Sequence, residues 1–423
     1  MNIIQKNCGV LDMSLENDRA VIRGLAERYA EIASLPVQEE KRGLWRKLNA
    51  LKPERPMVMI DQVCWNEMNI DDKLTLRCED ADCRGYEVFL RRALYQWEYF
   101  PVDMVAEPFI RVPKAVGNTG FGMSTEEHTL AYYESNDVVS HRYENQFKSM
   151  EDLEKVKMPV VTHDAAETKR RMDLASWLFG DIIEPREEGY DPYLSIWDPI
   201  STWMGVENAL YAIVDQPDMV HALAKKLSDG YMHMLDQMEE QGLLCHHQSL
   251  IHCTGAYTDE LPAPGFDPAR PRTKDIWMFG LSQMFATVSP AMFNEYEIAY
   301  SMPIFERYGL VYYGCCDPLD GKMNEVRKIP HLRKISVSPW ANQARMAKEI
   351  GTEYVFSRKP NPSHLAMGVF DRDLIKRDLT ETVELCKNNG CPVELILKDI
   401  STVRSQPERL KEWAEIAMSV VSN

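Results

Sequence analysis

The last third of the chain repeats a pattern that few folds accommodate: a short apolar run, a polar cluster, then a helical stretch. Leu310-Val-Tyr-Tyr313 breaks at Gly314 into Cys315, Cys316 and Asp317. Lys334-Ile-Ser-Val-Ser-Pro339 follows, then Glu353-Tyr-Val-Phe-Ser-Arg-Lys-Pro-Asn-Pro362, then Val393-Glu-Leu-Ile-Leu-Lys-Asp399. Short apolar runs bounded by turn residues suit strands buried on both faces. Helical spacers between them favour a parallel sheet with crossover helices, an α/β fold. In such sheets ligands bind at the carboxyl ends of the strands, so the polar clusters are expected to share one rim. The alternative for each cysteine alone is a small core residue.

Upstream the same alternation is readable. Residues 14 to 50 are charged, with Ala26, Tyr29, Ile32 and Ala33 at helical spacing, and Pro53 and Pro56 end the stretch. Met57-Val-Met-Ile60 reads as a buried strand closing on Asp61, Tyr86 to Tyr99 as a helix, and Val102 to Pro113 as a strand holding Glu107 and Arg111. Gly117-Asn-Thr-Gly-Phe-Gly122 lacks the terminal Lys and Ser/Thr of a phosphate loop. His163 to Phe179 is expected to be helical, Tyr193-Leu-Ser-Ile-Trp197 a strand ending in Asp198-Pro199, and the chain from Met204 to about Gln241 helical again. Met278 to Phe285 reads as a strand, Ser289-Pro290 as an N-cap with a first-turn proline, and Ala291 to Tyr308 as the helix they start. A last helix follows Pro407.

Charge narrows the function class. The formal net charge is −17, from 48 basic and 65 acidic residues, the wrong field for a nucleic-acid binder or an anionic membrane surface. The 10 cysteines lack the spacing of a disulfide scaffold, and no signal peptide or run of about 18 apolar residues occurs. These features fit a reduced, soluble, cytoplasmic protein.

Cys245-His246-His247-Gln-Ser-Leu-Ile-His252-Cys253 crowds three histidines and two cysteines together. On a strand His252 and Cys253 would point to opposite faces, and no zinc-type spacing such as CxxC or HExxH is present. One of these residues as a metal or substrate ligand remains one reading; ordinary strand or loop residues are the other.

Several motifs together resemble the uroporphyrinogen decarboxylase superfamily and its zinc- and cobalamin-dependent methyltransferase relatives. Val288-Ser-Pro-Ala-Met-Phe293 is similar to the family's Leu-Ser-Pro-x-x-Phe, Arg358-Lys-Pro-Asn-Pro362 stands where the family has Gly-Asn-x-Asp-Pro, and Pro407-Glu408 matches Thr-Pro-x-Glu-Asn approximately. The resemblance is strongest over residues 277 to 420. It implies a (β/α)8 TIM barrel over 56–423, with 1–55 as a helical N-terminal extension.

In the methyltransferase branch a His-x-Cys pair and a later cysteine bind zinc. Here those positions read Tyr313-Gly314-Cys315 and, for the later cysteine, at or beside Asp399. The resemblance therefore implies a metal set of Cys315, Cys316, Asp399 and His252, with a carboxylate in place of a thiolate. The decarboxylase branch lacks its arginine-rich motif near Pro56 to Asp61, and its key aspartate aligns near Ser282-Gln283. The resulting expectation is a methyltransferase that moves a methyl group between a small methylated compound, a methyl ether or methylamine, and a corrinoid protein. Tyr313, Asp317, Lys359 and Lys398 are the expected catalytic groups, and Asp61, Glu107, Trp197 and Gln283 the expected substrate contacts. The corrinoid is expected on a partner, because no Asp-x-His-x-x-Gly stretch occurs. A decarboxylase or a non-catalytic binding barrel is the alternative, and pairing with a second copy is left open.

Overall fold

A computed structural model describes residues 10–130 and 139–422. Cys8, the Met1 to Gly9 stretch and the middle of the 124 to 160 polar segment lie outside them. The strands, in chain order, are β1 (Met57–Ile60), β2 (Phe109–Pro113), β3 (Val116–Asn118), β4 (Glu127–Leu130), β5 (Ser140–Tyr143), β6 (Val161–His163), β7 (Glu184–Glu188), β8 (Leu250–Ile251), β9 (Thr254–Gly255), β10 (Trp277–Gly280), β11 (Leu310–Tyr313), β12 (Leu332–Val337), β13 (Val355–Arg358) and β14 (Val393–Leu397). Six of them form one parallel sheet in the order β1-β14-β13-β12-β11-β10.

The side-chain period of two sorts this sheet into faces. Val58, Ile60, Met278, Val311, Tyr313, Ile335, Val337, Phe356, Leu395 and Leu397 face the helices in the main core. Their neighbours of opposite parity, including Trp277, Phe279, Tyr312, Lys334, Ser357 and Glu394, line the concave side. That side is filled by the β8–β9 hairpin. Lys334 Nζ donates to Thr254 Oγ1 (3.0 Å), Gly255 O (3.1 Å) and Glu394 Oε2 (2.8 Å), and all of these are buried. The hairpin must be thin at its base: a Cβ on Gly255 would lie 2.4 Å from the Trp45 ring.

Helices α1 (Val10–Ala33) and α2 (Pro36–Asn49) occupy the stretch read as an N-terminal extension. Ile22, Leu25, Ala26 and Tyr29 of α1 share a second core with α3 (Ala81–Tyr99) and α4 (Ala165–Phe179). Trp45 and Leu48 of α2 pack with Met57, Met59, Val355 and Ile396 on the concave side.

Four expectations need correcting. Of Met278 to Phe285, only the part to Gly280 is strand, in β10. The ladder is not a closed barrel: among the described residues β2 pairs in parallel only with β7, apart from the six-stranded sheet. Only Phe109–Pro113 of the stretch from Val102 is a strand. Tyr193–Trp197 is not a strand either; the chain runs irregularly into helix α5 (Trp197–Met204). A short apolar run does not itself distinguish strand from helix, and Trp197, Ile200, Trp203 and Met204 are all buried at helical spacing. No helix among the described residues is long and apolar enough to cross a membrane.

Candidate functional site

The carboxyl ends of β11 and β14 and the tip of the hairpin meet at one place. Gly314, at φ +95°, turns the chain after β11, a conformation open to glycine at little cost. Cys315 Sγ then lies 3.5 Å from His252 Nε2 and 3.5 Å from Cys316 Sγ, and Lys398 Nζ donates to it over 3.6 Å. Lys398 also donates to Asp399 Oδ2 over 2.7 Å. Cys315 and Lys398 are buried, whereas Cys316 is exposed and the Asp399 side chain is 52% exposed. One charge cluster therefore runs from the interior to the surface.

His252 and Cys253 occupy the hairpin tip with φ of +38° and +69°. They sit on a tight turn and not along a strand, and their side chains still diverge, His252 toward Phe279 and Cys315, and Cys253 into the cluster with Trp45 and Met57. The His252 ring stacks on Phe279 with centroids 3.7 Å apart and planes 10° apart. Cys253 is buried, and burial followed by the Asp61 carboxylate pushes its thiol up. Asp61 follows β1 and accepts from Gln62 N over 2.7 Å.

Electrostatics single out one sulfur. The S···S contact with Cys316 pulls Cys315 well below the ordinary thiol range against the cost of burial, with His252 and Lys398 adding to the effect. The same contact pushes Cys316 up, so the pair favours ionisation at Cys315. Burial alone would lower Lys398, but Cys315 and Asp399 outweigh it and hold the ammonium above its usual value. Lys359 follows β13 and donates to Ser357 Oγ over 2.7 Å and to Tyr312 Oη. Burial lowers it to about 8, with Glu394 opposing.

The rim continues on the other side. Tyr193 Oη donates to Asp198 Oδ2 over 2.7 Å, and Gln283 Nε2 lies 3.3 Å from Asp198 Oδ1. Burial raises the Tyr193 hydroxyl, with Asp198 and then Cys315 adding to it.

The expected residues thus divide. Cys315, Cys316, Lys398, Asp399, His252 and Lys359 come together, with Asp61 against the hairpin tip and Gln283 on the rim. Tyr313 does not join them. It faces the helices, donating to Glu297 Oε1 over 3.1 Å, and by strand alternation Tyr312 takes the inward position. Asp317 accepts from Phe285 N over 2.7 Å while Lys322 donates to Phe285 O, so this pair holds the loop after β10. Trp197 is buried in the core and donates to Tyr296 O over 2.9 Å. Glu107 lies with Arg42 (3.3 Å) and Tyr257 (2.5 Å) near the base of the hairpin. Tyr312, Tyr193 and Asp198 were not singled out by sequence; for Tyr312 the period of two was the available signal.

A resident zinc fits this donor set poorly. Two ligands of a tetrahedral zinc lie about 3.3 to 3.8 Å apart, which the His252–Cys315 and Cys315–Cys316 pairs satisfy, both through the same sulfur. Among the described residues, Cys315, Cys316, Asp399 and His252 do not bring three donor atoms within 4.8 Å of one another. The Lys398 ammonium already bridges the anions that a cation would hold.

A cavity of about 820 Å³ lies between α3 and the chain from Asp103 to Arg111, walled by apolar groups such as Phe89, Met104 and Ile110. None of Cys315, Lys359 or Lys398 lines it.

No protein-family model matches the chain, and no curated protein does. Among solved structures, a methyltransferase from Methanosarcina mazei matches with a TM-score of 0.48 and 12% identity, over 89% of this chain and 97% of that one.

Proposed function

We propose that the chain is a methyltransferase that moves a methyl group between a small methylated compound, a methyl ether or methylamine, and a corrinoid carried by a separate protein. The observation that carries this reading is the cluster at the sheet's carboxyl rim, in which Lys398 contacts Cys315 at 3.6 Å and Asp399 at 2.7 Å beside His252. A methyl group on oxygen or nitrogen leaves only when the heteroatom is stabilised as it takes the electron pair. The methyl–heteroatom bond breaks, the pair stays on the heteroatom, and the methyl carbon passes to a two-electron nucleophile. When bound, the partner's corrinoid supplies that nucleophile. In this chain Lys398 provides the fixed positive charge, Cys315 and Asp399 keep it protonated, and Lys359 is the buried ammonium near neutrality able to release a proton. Gln283 and Asp61 orient the substrate from opposite sides of the mouth.

A (β/α)8 plan belongs to the same reading. The first strand pairs with the last in β1-β14, and β2 and β7 run parallel to each other as a detached pair. A first strand lying beside the last is an arrangement shared with (β/α)8 barrels, although this sheet is open. Nine free cysteines among the described residues support a reducing cytoplasmic setting.

The test is methylation of free cob(I)alamin, followed by absorbance, with a panel of methoxylated and methylaminated compounds. At least one donor is expected to turn over, and Lys398→Met is expected to slow it about 100-fold without loss of circular dichroism. Saturable binding of a donor with no turnover would replace this reading with a binding barrel. Turnover untouched by Lys398→Met would move the chemistry elsewhere.

A further inference from the structure

A second cluster stands apart from the thiolate. We propose that Glu188, His246 and His247 form an open binding site for a divalent transition-metal ion of the zinc class. Each residue offers a ligand atom, and these atoms lie within 4.8 Å of one another, the only such trio among the described residues. Two imidazoles and one carboxylate, with a fourth position left for water, are a donor set suited to zinc.

Three features of the surroundings support the site. Glu188 is 2% exposed; one oxygen contacts His247 Nδ1 at 2.6 Å, while Oε2 is buried without a partner. A buried, unsatisfied carboxylate oxygen is costly, and a cation would satisfy it. Adjacent histidines on an extended chain diverge, yet these two rings lie with centroids 3.8 Å apart. The backbone holds them there: Cys245 N donates to Tyr190 O, Arg111 donates to His247 O, and the Gln248 side chain bonds both Trp277 N and Trp277 O. Finally, both histidines line a cleft of about 300 Å³ that also touches Glu107 and Asp275, which gives an ion entry and leaves room for water.

Nearby cations do not preclude the site. Arg186 is paired with Glu184 at 2.8 Å and Lys114 with Glu187 at 3.6 Å. The His247 segment leads directly into β8, so an ion here would also brace the hairpin that carries His252 to the thiolate.

Cobalt(II) titration of the chelator-treated full chain tests this. One equivalent is expected to bind with visible d–d absorption and no thiolate charge-transfer band, and the signal is expected to persist in Cys315→Ser. His247→Ala and His246→Ala, at half-buried positions, are expected to weaken binding at least about tenfold. Absence of binding at micromolar ion, or affinity unchanged in both histidine variants, overturns the site. A thiolate band that vanishes in Cys315→Ser overturns it too, by placing the ion on the other cluster.

Discussion

Cys315 shows how neighbours decide the chemistry of a residue. A thiol buried in apolar surroundings is normally inert, its pKa raised by desolvation, as at Cys64, where burial pushes it up to about 11. Cys315 is equally buried but meets a second thiol, an imidazole and an ammonium, so its pKa moves the opposite way. The sign is testable. A group whose pKa is lowered is ionised, and therefore nucleophilic, at pH values where an ordinary thiol is protonated. Alkylation by iodoacetamide, mapped by peptide mass spectrometry, is expected to show a pH midpoint for Cys315 at least about one unit below the ordinary 8.5. Lys398→Met is expected to shift that midpoint upward. A Cys315 midpoint at or above 8.5 in the wild-type chain would remove the thiolate from the site.

Among the elements, the β8–β9 hairpin does the most positioning. Its two tip residues hold left-handed backbone conformations, which cost about 1 to 2 kcal/mol each outside glycine, so the packing around it must supply compensation. Its anchor is the buried Lys334–Glu394 pair at 2.8 Å, with Thr254 Oγ1 donating to the same carboxylate oxygen at 2.7 Å. Breaking a buried pair strands a charge, whereas replacing both partners need not. Lys334→Met is therefore expected to lose about 3 to 5 kcal/mol in urea denaturation. Lys334→Met combined with Glu394→Leu is expected to recover most of that loss. Equal losses in the single and double variants would mean that the pair does not anchor the hairpin.

Across the whole molecule, stability is expected to follow burial. Strands β11 and β13 are buried along their whole length, whereas the β4–β5 hairpin is exposed on nearly every residue. Hydrogen exchange by mass spectrometry should find the slowest amides in β11 to β13 and rapid exchange in β4–β5. Comparable protection of the two would contradict this arrangement of the core.

The sequence by itself determined the parallel α/β class, the helical character of the first 50 residues and the shared rim of Cys315, Lys359 and Lys398. Those follow from local periodicity, because an apolar run of strand length places its terminal polar residues at one end of the sheet. Tertiary structure alone decided that Tyr312 and not Tyr313 turns inward, since two adjacent aromatic residues look alike until a register is set. It also decided that Trp197 begins a helix, and that His252 reaches Cys315 across 63 positions of sequence. The His252 contact depends on a hairpin threaded through the concave face of the sheet, and no local pattern in the chain encodes which surface a hairpin will fill.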